Sequence, residues 1–304
     1  MFDKDGKIVQ VKLIQQYFSD NCKRVTFNDH LAVSGDTHLN FMVEDLKYRN
    51  RVHQYVGHFQ FRRPLKQKSV EDICSTSLKD KRERLVYSVP TTRPLELPHQ
   101  TLPVPPFIFG FWFFNKRDRG HLCAPAKYHD EIITRFKDHG YKVKLGRRRT
   151  GGRQEFTVTP SISLQLAPII PNKITNNYLL ASPDQRLELL QGIMMAKSAQ
   201  YNEKDDKFRF SSQHFPTVLR IQALVESLGS KTRIESHERH HNYQIFFKTR
   251  LKLVSNQQSP PVKVHLGRRY IKNITNIDPQ MCVHIETTSK DSTILVGEGF
   301  IPCR

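Results

Sequence analysis

Three things are scarce in this chain, and each absence narrows what it can be. No window holds the roughly 18 to 20 apolar residues that a membrane span requires, and the opening Met1-Phe-Asp-Lys-Asp-Gly6 has no apolar signal segment. Neither membrane insertion nor export is expected, and a cytoplasmic location is. Cysteine is sparse: Cys22, Cys74, Cys123, Cys282 and Cys303 are far apart in sequence, odd in number and without a Cys-x-x-Cys pair. That pattern anticipates reduced thiols rather than a disulfide framework or a zinc site. Acid is short as well. Against 48 Lys and Arg stand 29 Asp and Glu, a formal charge of +19. A surplus of this size anticipates a polyanionic partner, nucleic acid first.

Histidine is not scarce, and Glu238-Arg-His-His241 raises the question of a metal. Adjacent residues on a strand point to opposite faces, and no Cys or acid cluster accompanies these two, so neither a metal nor any other cofactor is expected.

With 304 residues, 38% of them hydrophobic and 10% aromatic, the chain can build real cores. Short β-favouring runs occupy its beginning, Lys7 to Ile14 and Cys22 to Phe27, and its end, Arg269 to Ile274, Cys282 to Glu286 and Thr293 to Val296. Between them, after a proline-dense connector from Pro90 to Pro106, apolar residues recur at helical spacing in Asp130 to His139 and Val218 to Leu228. Each of these runs stops at a glycine, Gly140 or Gly229. The expected organisation is a β domain, residues 1–90 and 256–304, interrupted by an α+β domain, residues 91–255.

The middle region reads as a duplication. An apolar helix carrying Gly110 precedes the helix that ends at Gly140 and the strands Tyr141 to Leu145 and Gln154 to Val158. A second apolar helix, carrying Gly192, precedes the strand Lys207 to Phe210, the helix that ends at Gly229, and the strands Lys231 to Ile234 and Tyr243 to Phe247. The order recurs at a spacing of roughly 80 to 90 residues. The glycines are expected where the two apolar helices approach each other.

Four segments in order carry a family resemblance. Pro106-Phe-Ile-Phe-Gly-Phe-Trp-Phe113 and Gln185-Arg-Leu-Glu-Leu-Leu-Gln-Gly-Ile-Met194 resemble the signature helices of LAGLIDADG homing endonucleases, especially those embedded in inteins. Ser88-Val-Pro-Thr-Thr-Arg-Pro-Leu-Glu-Leu-Pro98 resembles the linker before the first such helix, and Ile294-Leu-Val-Gly-Glu-Gly-Phe-Ile-Pro302 the final block of a splicing domain. Gly35-Asp-Thr-His38 falls where that domain carries its histidine block. The resemblance implies a duplicated αββαββα saddle inserted in a mostly-β Hint-like domain. Because such inteins are common in phage and bacterial genes, it also implies a phage or bacterial setting.

The resemblance further implies that the chemistry is lost. Where the first motif ends in Gly-Asp-Gly, this chain has Phe114-Asn115-Lys116; where the second ends in Asp-Thr-Asp-Gly, it has Met195-Ala-Lys-Ser198. Hard divalent cations need carboxylate oxygens on both sides of a scissile phosphate. Asp118 follows Asn115, but no acid lies between Met194 and Asn202 to pair with it. Splicing is expected to be absent too, since the chain reads Met1-Phe2 and Cys303-Arg304 where an intein carries its nucleophile and its terminal His-Asn. No enzymatic activity is expected.

What remains is a basic surface. Lys142, Lys144, Arg147, Arg148, Arg149 and Arg153 place six cations in twelve residues with no acid among them. Alternation sets Lys142 and Lys144 on one face of a strand, opposite Val143 and Leu145. The second copy offers Lys231, Arg233, Arg239, Lys248, Arg250 and Lys252 in the matching region, and Lys116, Arg117 and Lys197 lie at the former catalytic centre. The expected function is non-catalytic nucleic-acid binding through phosphates. RNA is favoured over DNA, with Tyr243 and Phe247 available for stacking. A duplex-DNA regulator or architectural protein, a residual endonuclease and a structural adaptor are the alternatives.

Overall fold

The computed structural model describes all residues except 47–64, 116–120, 166–173, 197–198, 238–241, 258–266, 291 and 298. The N-terminal segment carries β1 (Val11–Ser19), β2 (Cys22–Phe27), β3 (Ala32–Asp36), β4 (Asn40–Val43), β5 (Lys66–Ser69), a short helix Val70–Cys74 and β6 (Ser88–Pro90). The middle segment begins with α1 (Pro106–Asn115), β7 (Leu122–Ala124), α2 (His129–Asp138), β8 (Lys142–Arg148) and β9 (Gln154–Thr159). It continues with α3 (Pro183–Met194), β10 (Ala199–Asn202), β11 (Lys207–Ser212), α4 (Phe215–Ser227), β12 (Thr232–His237) and β13 (Asn242–Phe247). The C-terminal segment adds β14 (Arg268–Asn276), β15 (Gln280–Thr287), β16 (Ile294–Val296) and β17 (Ile301–Cys303).

These elements form two compact units. Unit 1 takes Met1–Glu96, Gly229–Lys231 and Pro261–Arg304; unit 2 takes Leu97–Leu228 and Thr232–Pro260.

Unit 1 is built from both ends of the chain. One antiparallel sheet has the order β3-β2-β14-β6, a second β16-β17-β4-β5, and β1 with β15 makes a two-stranded ribbon. Val25 and Phe27 share a face of β2 at period two and pack with Phe41, Val70, Ile73, Val89, Ile271 and Ile301. The first strand lies further along than the run Lys7 to Ile14. It starts at Val11, which pairs with Thr287 of β15, so the partner strand sets its beginning rather than local propensity.

Unit 2 repeats one topology. In each copy the strand after the second helix, β8 or β12, lies at the edge of its sheet and pairs with the strand that follows it, β9 or β13. That strand pairs in turn with the one preceding the helix, β7 or β11. Helix α1 is apolar on every side, and Phe107, Ile108, Phe109, Phe111 and Trp112 are all buried. Helix α3 opens on a capping box, in which the Ser182 hydroxyl accepts from the Gln185 amide and Pro183 fills the first turn. The two helices meet at glycines: a Cβ on Gly110 would stand 2.4 Å from the Leu189 carbonyl oxygen, and one on Gly192 2.1 Å from that of Phe107. Helix α2 ends at Gly140, in the left-handed region at φ +81.

Candidate nucleic-acid interface

Strand β8 presents its cations to solvent. Lys142, Lys144, Arg147, Arg148, Arg149 and Arg153 are all exposed. Lys142 and Lys144 stand opposite Thr159 and Thr157 of β9, while Val143 turns to the core. The inward face ends there. Leu145, expected to pack beneath, is 58% exposed, because the register slips between Leu145 and Arg148 and bends the strand out of its alternation. The Gln154 amide closes that bulge by donating to the Gly146 carbonyl at 3.0 Å. Beyond it, Arg149 N donates to the Arg153 carbonyl at 2.8 Å across a turn in which Gly151 and Gly152 take positive φ. The hairpin tip thus gathers four arginines.

One of the four is already neutralised. Arg149 Nε lies 2.7 Å from Glu155, a carboxylate on the neighbouring strand that inspection of residues 142–153 alone passes over. Lys142, Lys144, Arg147, Arg148 and Arg153 form no ion pair among the described residues.

In the second copy the outward face is set by register. Arg209 of β11 and Arg233 of β12 both stand opposite Phe246 of β13, so one row across the sheet reads arginine, phenylalanine, arginine. The Lys207 ammonium lies 4.2 Å from the centre of the same ring. The opposite face carries Phe208, Phe210, Ile245 and Phe247 into the core. This corrects the expected stacking residues: Phe247 is buried and stacks on Phe208, and Tyr243 is half-buried against Phe215. Phe246, one position away from Phe247, lies on the other face of β13; it is half-buried, as Tyr243 is, but under Lys207 rather than against a core ring. Lys207 and Arg209 join the candidate face, where sequence reading had not placed them.

The remaining expected cations divide. Lys248 and Arg250 are exposed just past β13. Arg233 is exposed but lies 3.2 Å from Glu235. Lys252 donates to the Ser255 and Gln257 carbonyls at 2.9 and 2.7 Å and so ties down its own loop. Lys231 belongs elsewhere: its ammonium donates to Asn28 Oδ1 at 2.8 Å and lies 3.9 Å from the buried Asp29 carboxylate, which also pairs with buried Arg269 at 3.0 Å. It is half-buried among partners of unit 1 and not on the outward face of the β12 sheet. Lys116, Arg117, Lys197, Arg239 and the His240–His241 pair lie outside the described residues.

At the end of α1, Asn115 is buried, and its amide donates back to the Phe111 carbonyl at 2.9 Å. At the end of α3, Met195 and Ala196 are buried as well. Among the described residues no three His, Cys, Asp or Glu side chains come together, and no helix is long and apolar enough to cross a membrane. Burial pushes the Cys303 thiol in β17 up to about 12. The cysteines, far apart in sequence, are not all far apart in space: Cys22 Sγ and Cys282 Sγ lie 3.8 Å from each other.

No family model matches the chain, and no curated protein does either. Among solved structures it is similar in part to the LAGLIDADG homing endonuclease I-DmoI. Mesophilic variants of that enzyme match at 12% identity and a TM-score of 0.36, over 53% of this chain and 98% of theirs. I-DmoI in complex with DNA and Mn matches at 12% and 0.35, over 48% and 89%; its complex with DNA and Ca matches at 12% and 0.35, over 52% and 94%. Scores of this size transfer neither residues nor activity.

Proposed function

We propose that this chain binds nucleic acid without cutting it, RNA ahead of DNA, through the outward sheet faces of unit 2. The carrying observation is the row Arg209, Phe246, Arg233, with Lys207 over the ring: cations around one aromatic, where phosphates would compete with Glu235 for Arg233 and an unpaired base would displace the Lys207 ammonium from the ring. The β8 hairpin adds phosphate contacts of its own. Edge strands commonly carry lysines to block the addition of another strand, which would account for Lys142 and Lys144. It does not account for the arginines of the turn.

Loss of catalysis is part of the proposal. The family resemblance sets a metal-holding acid at Asn115, and an amide turned back onto its own helix supports the reading that the acid has no replacement. We read unit 1 in the same way, as a Hint-like domain without splicing activity. Its buried Cys303, whose thiol is held neutral at physiological pH, is unsuited to act as a nucleophile. Duplex DNA is the second reading, favoured by the outward face of β8 and β9, where Lys142 and Lys144 stand beside threonines and no aromatic.

The test is titration of single-stranded RNA, single-stranded DNA and duplex DNA over a range of salt. The logarithm of affinity falls linearly with the logarithm of salt, by roughly 0.7 per contact on single strands and 0.9 on duplex. Changing Arg147 and Arg148 together to Ala lowers the slope by about two contacts' worth on either polymer. Phe246→Ala weakens single-stranded RNA by about 1–3 kcal/mol and leaves duplex binding unchanged. Folded variants that bind all three polymers as the parent does would overturn the proposal.

A further inference from the structure

Two buried thiols of unit 1 lie side by side. Cys22 and Cys282 are separated by 260 residues, yet their sulfurs are 3.8 Å apart. Backbone pairing holds both. Cys22 opens β2 opposite Asp36 of β3, and its carbonyl accepts the Ile277 amide at 3.1 Å. Cys282 sits within β15 opposite Tyr17 of β1. The Tyr17 hydroxyl donates to Asp36 at 2.6 Å, which ties the strand facing one thiol to the strand facing the other. Both cysteines are free, and Cys74, Cys123 and Cys303 have no such neighbour among the described residues.

A disulfide requires about 2.05 Å between sulfurs, so the gap has to shrink by roughly 2 Å. Side-chain rotation, with any small strand adjustment that the bond geometry requires, is the motion that would close it. With Cys22 at 2% and Cys282 at 8% exposure, a small oxidant reaches the pair more readily than a bulky disulfide does.

We propose that Cys22 and Cys282 form a reversible dithiol–disulfide site whose oxidant is a small peroxide. One thiol loses its proton and its sulfur attacks a peroxide oxygen; the O–O bond breaks, a sulfenic acid forms, and the departing hydroxide leaves with that proton as water. The second sulfur then attacks the sulfenic sulfur; the S–S bond forms, the S–O bond breaks, and the hydroxyl leaves with the second thiol's proton as another water. Two electrons pass from the thiols to one peroxide, which becomes two waters. A dithiol reductant reverses the bond by two thiol–disulfide exchanges. Burial, the Cys22 thiol and the Asp36 carboxylate push the Cys282 thiol up to about 11, so at neutral pH the pair oxidises slowly and requires peroxide in excess.

The full chain is exposed to graded hydrogen peroxide, quenched, unfolded in an alkylating reagent and mapped by mass spectrometry. The expected result is a cross-linked peptide pair containing Cys22 and Cys282, an intact mass lower by two hydrogens, and loss of both signals with dithiothreitol. In Cys282→Ser, confirmed folded by circular dichroism, Cys22 is expected to give a sulfenic acid that dimedone traps. The site assignment fails if both cysteines remain alkylatable after exposed Cys74 is fully oxidised, or if either reaches sulfinic acid with no cross-link formed.

Discussion

Gly192 and Phe107 leave no room between them for a side chain: a Cβ on Gly192 would stand 2.1 Å from the Phe107 carbonyl oxygen and 2.8 Å from the Phe111 amide nitrogen. Both obstacles are backbone and cannot rotate away. Gly192→Ala therefore forces α1 and α3 apart, at a cost of about 3 kcal/mol, the upper end for overpacking a close-packed interior. Chemical denaturation measures the loss; a variant as stable as the parent would mean that the two helices do not cross where the structure places them.

Lys231 separates a structural ion pair from a binding cation. Changing it to Ala removes one cation beside Asp29 and leaves Arg269, so the expected loss of stability is about 1–2 kcal/mol, below that for breaking a fully buried pair. Nucleic-acid affinity and its salt dependence are expected to stay at the parent's values. A reduced salt slope in a folded Lys231→Ala protein would return this residue to the phosphate-binding set.

Catalysis is the third point of test. With magnesium or manganese, plasmid and oligonucleotides are expected to remain intact, and Asn115→Asp alone is not expected to start cleavage, because a two-metal displacement needs carboxylates on both sides of the phosphate. Reproducible metal-dependent cutting by the unmodified chain contradicts the proposed loss of activity.

Cys303 links stability to alkaline pH. Its thiol ionises near 9 when unfolded and near 12 when folded, so its contribution is fully present below pH 9 and is lost as pH rises from 9 towards 12. Cys303→Val removes that share of the alkaline decline while keeping the side chain apolar. Unfolding midpoints compared at pH 8 and pH 10.5 read the difference; parallel curves for parent and variant would show that the thiol is not held neutral.

Much of this was legible locally. β2, the four main helices and the basic run of β8 follow from residue period, capping and composition. What was not legible depended on partners distant in the chain. Phe246 and Phe247 are neighbours of the same type, and only the pairing of β13 with β11 and β12 decides which faces out. Leu145 fits the inward pattern, and a register slip against β9 removes it. Lys231 lies in a basic stretch of sequence, yet Asn28 and Asp29 claim it from some 200 residues earlier. The Cys22–Cys282 contact likewise has no local signal, because neither flanking sequence contains the other.

Unit 1 also has a history during synthesis. Val25 of β2 pairs with Ile274, and Val89 of β6 with Arg269, both on β14. A ribosome translating this chain releases β2 and β6 long before β14 exists, and every strand of unit 2 emerges in the interval. Unit 2, whose contacts lie within the middle of the sequence, has all its parts first; β2 can pair early with β3, but its other edge and β6 wait for β14. An interrupted synthesis that stops after β13 therefore leaves a complete set of unit 2 strands attached to a sheet that lacks β14, the inner strand joining β2 to β6.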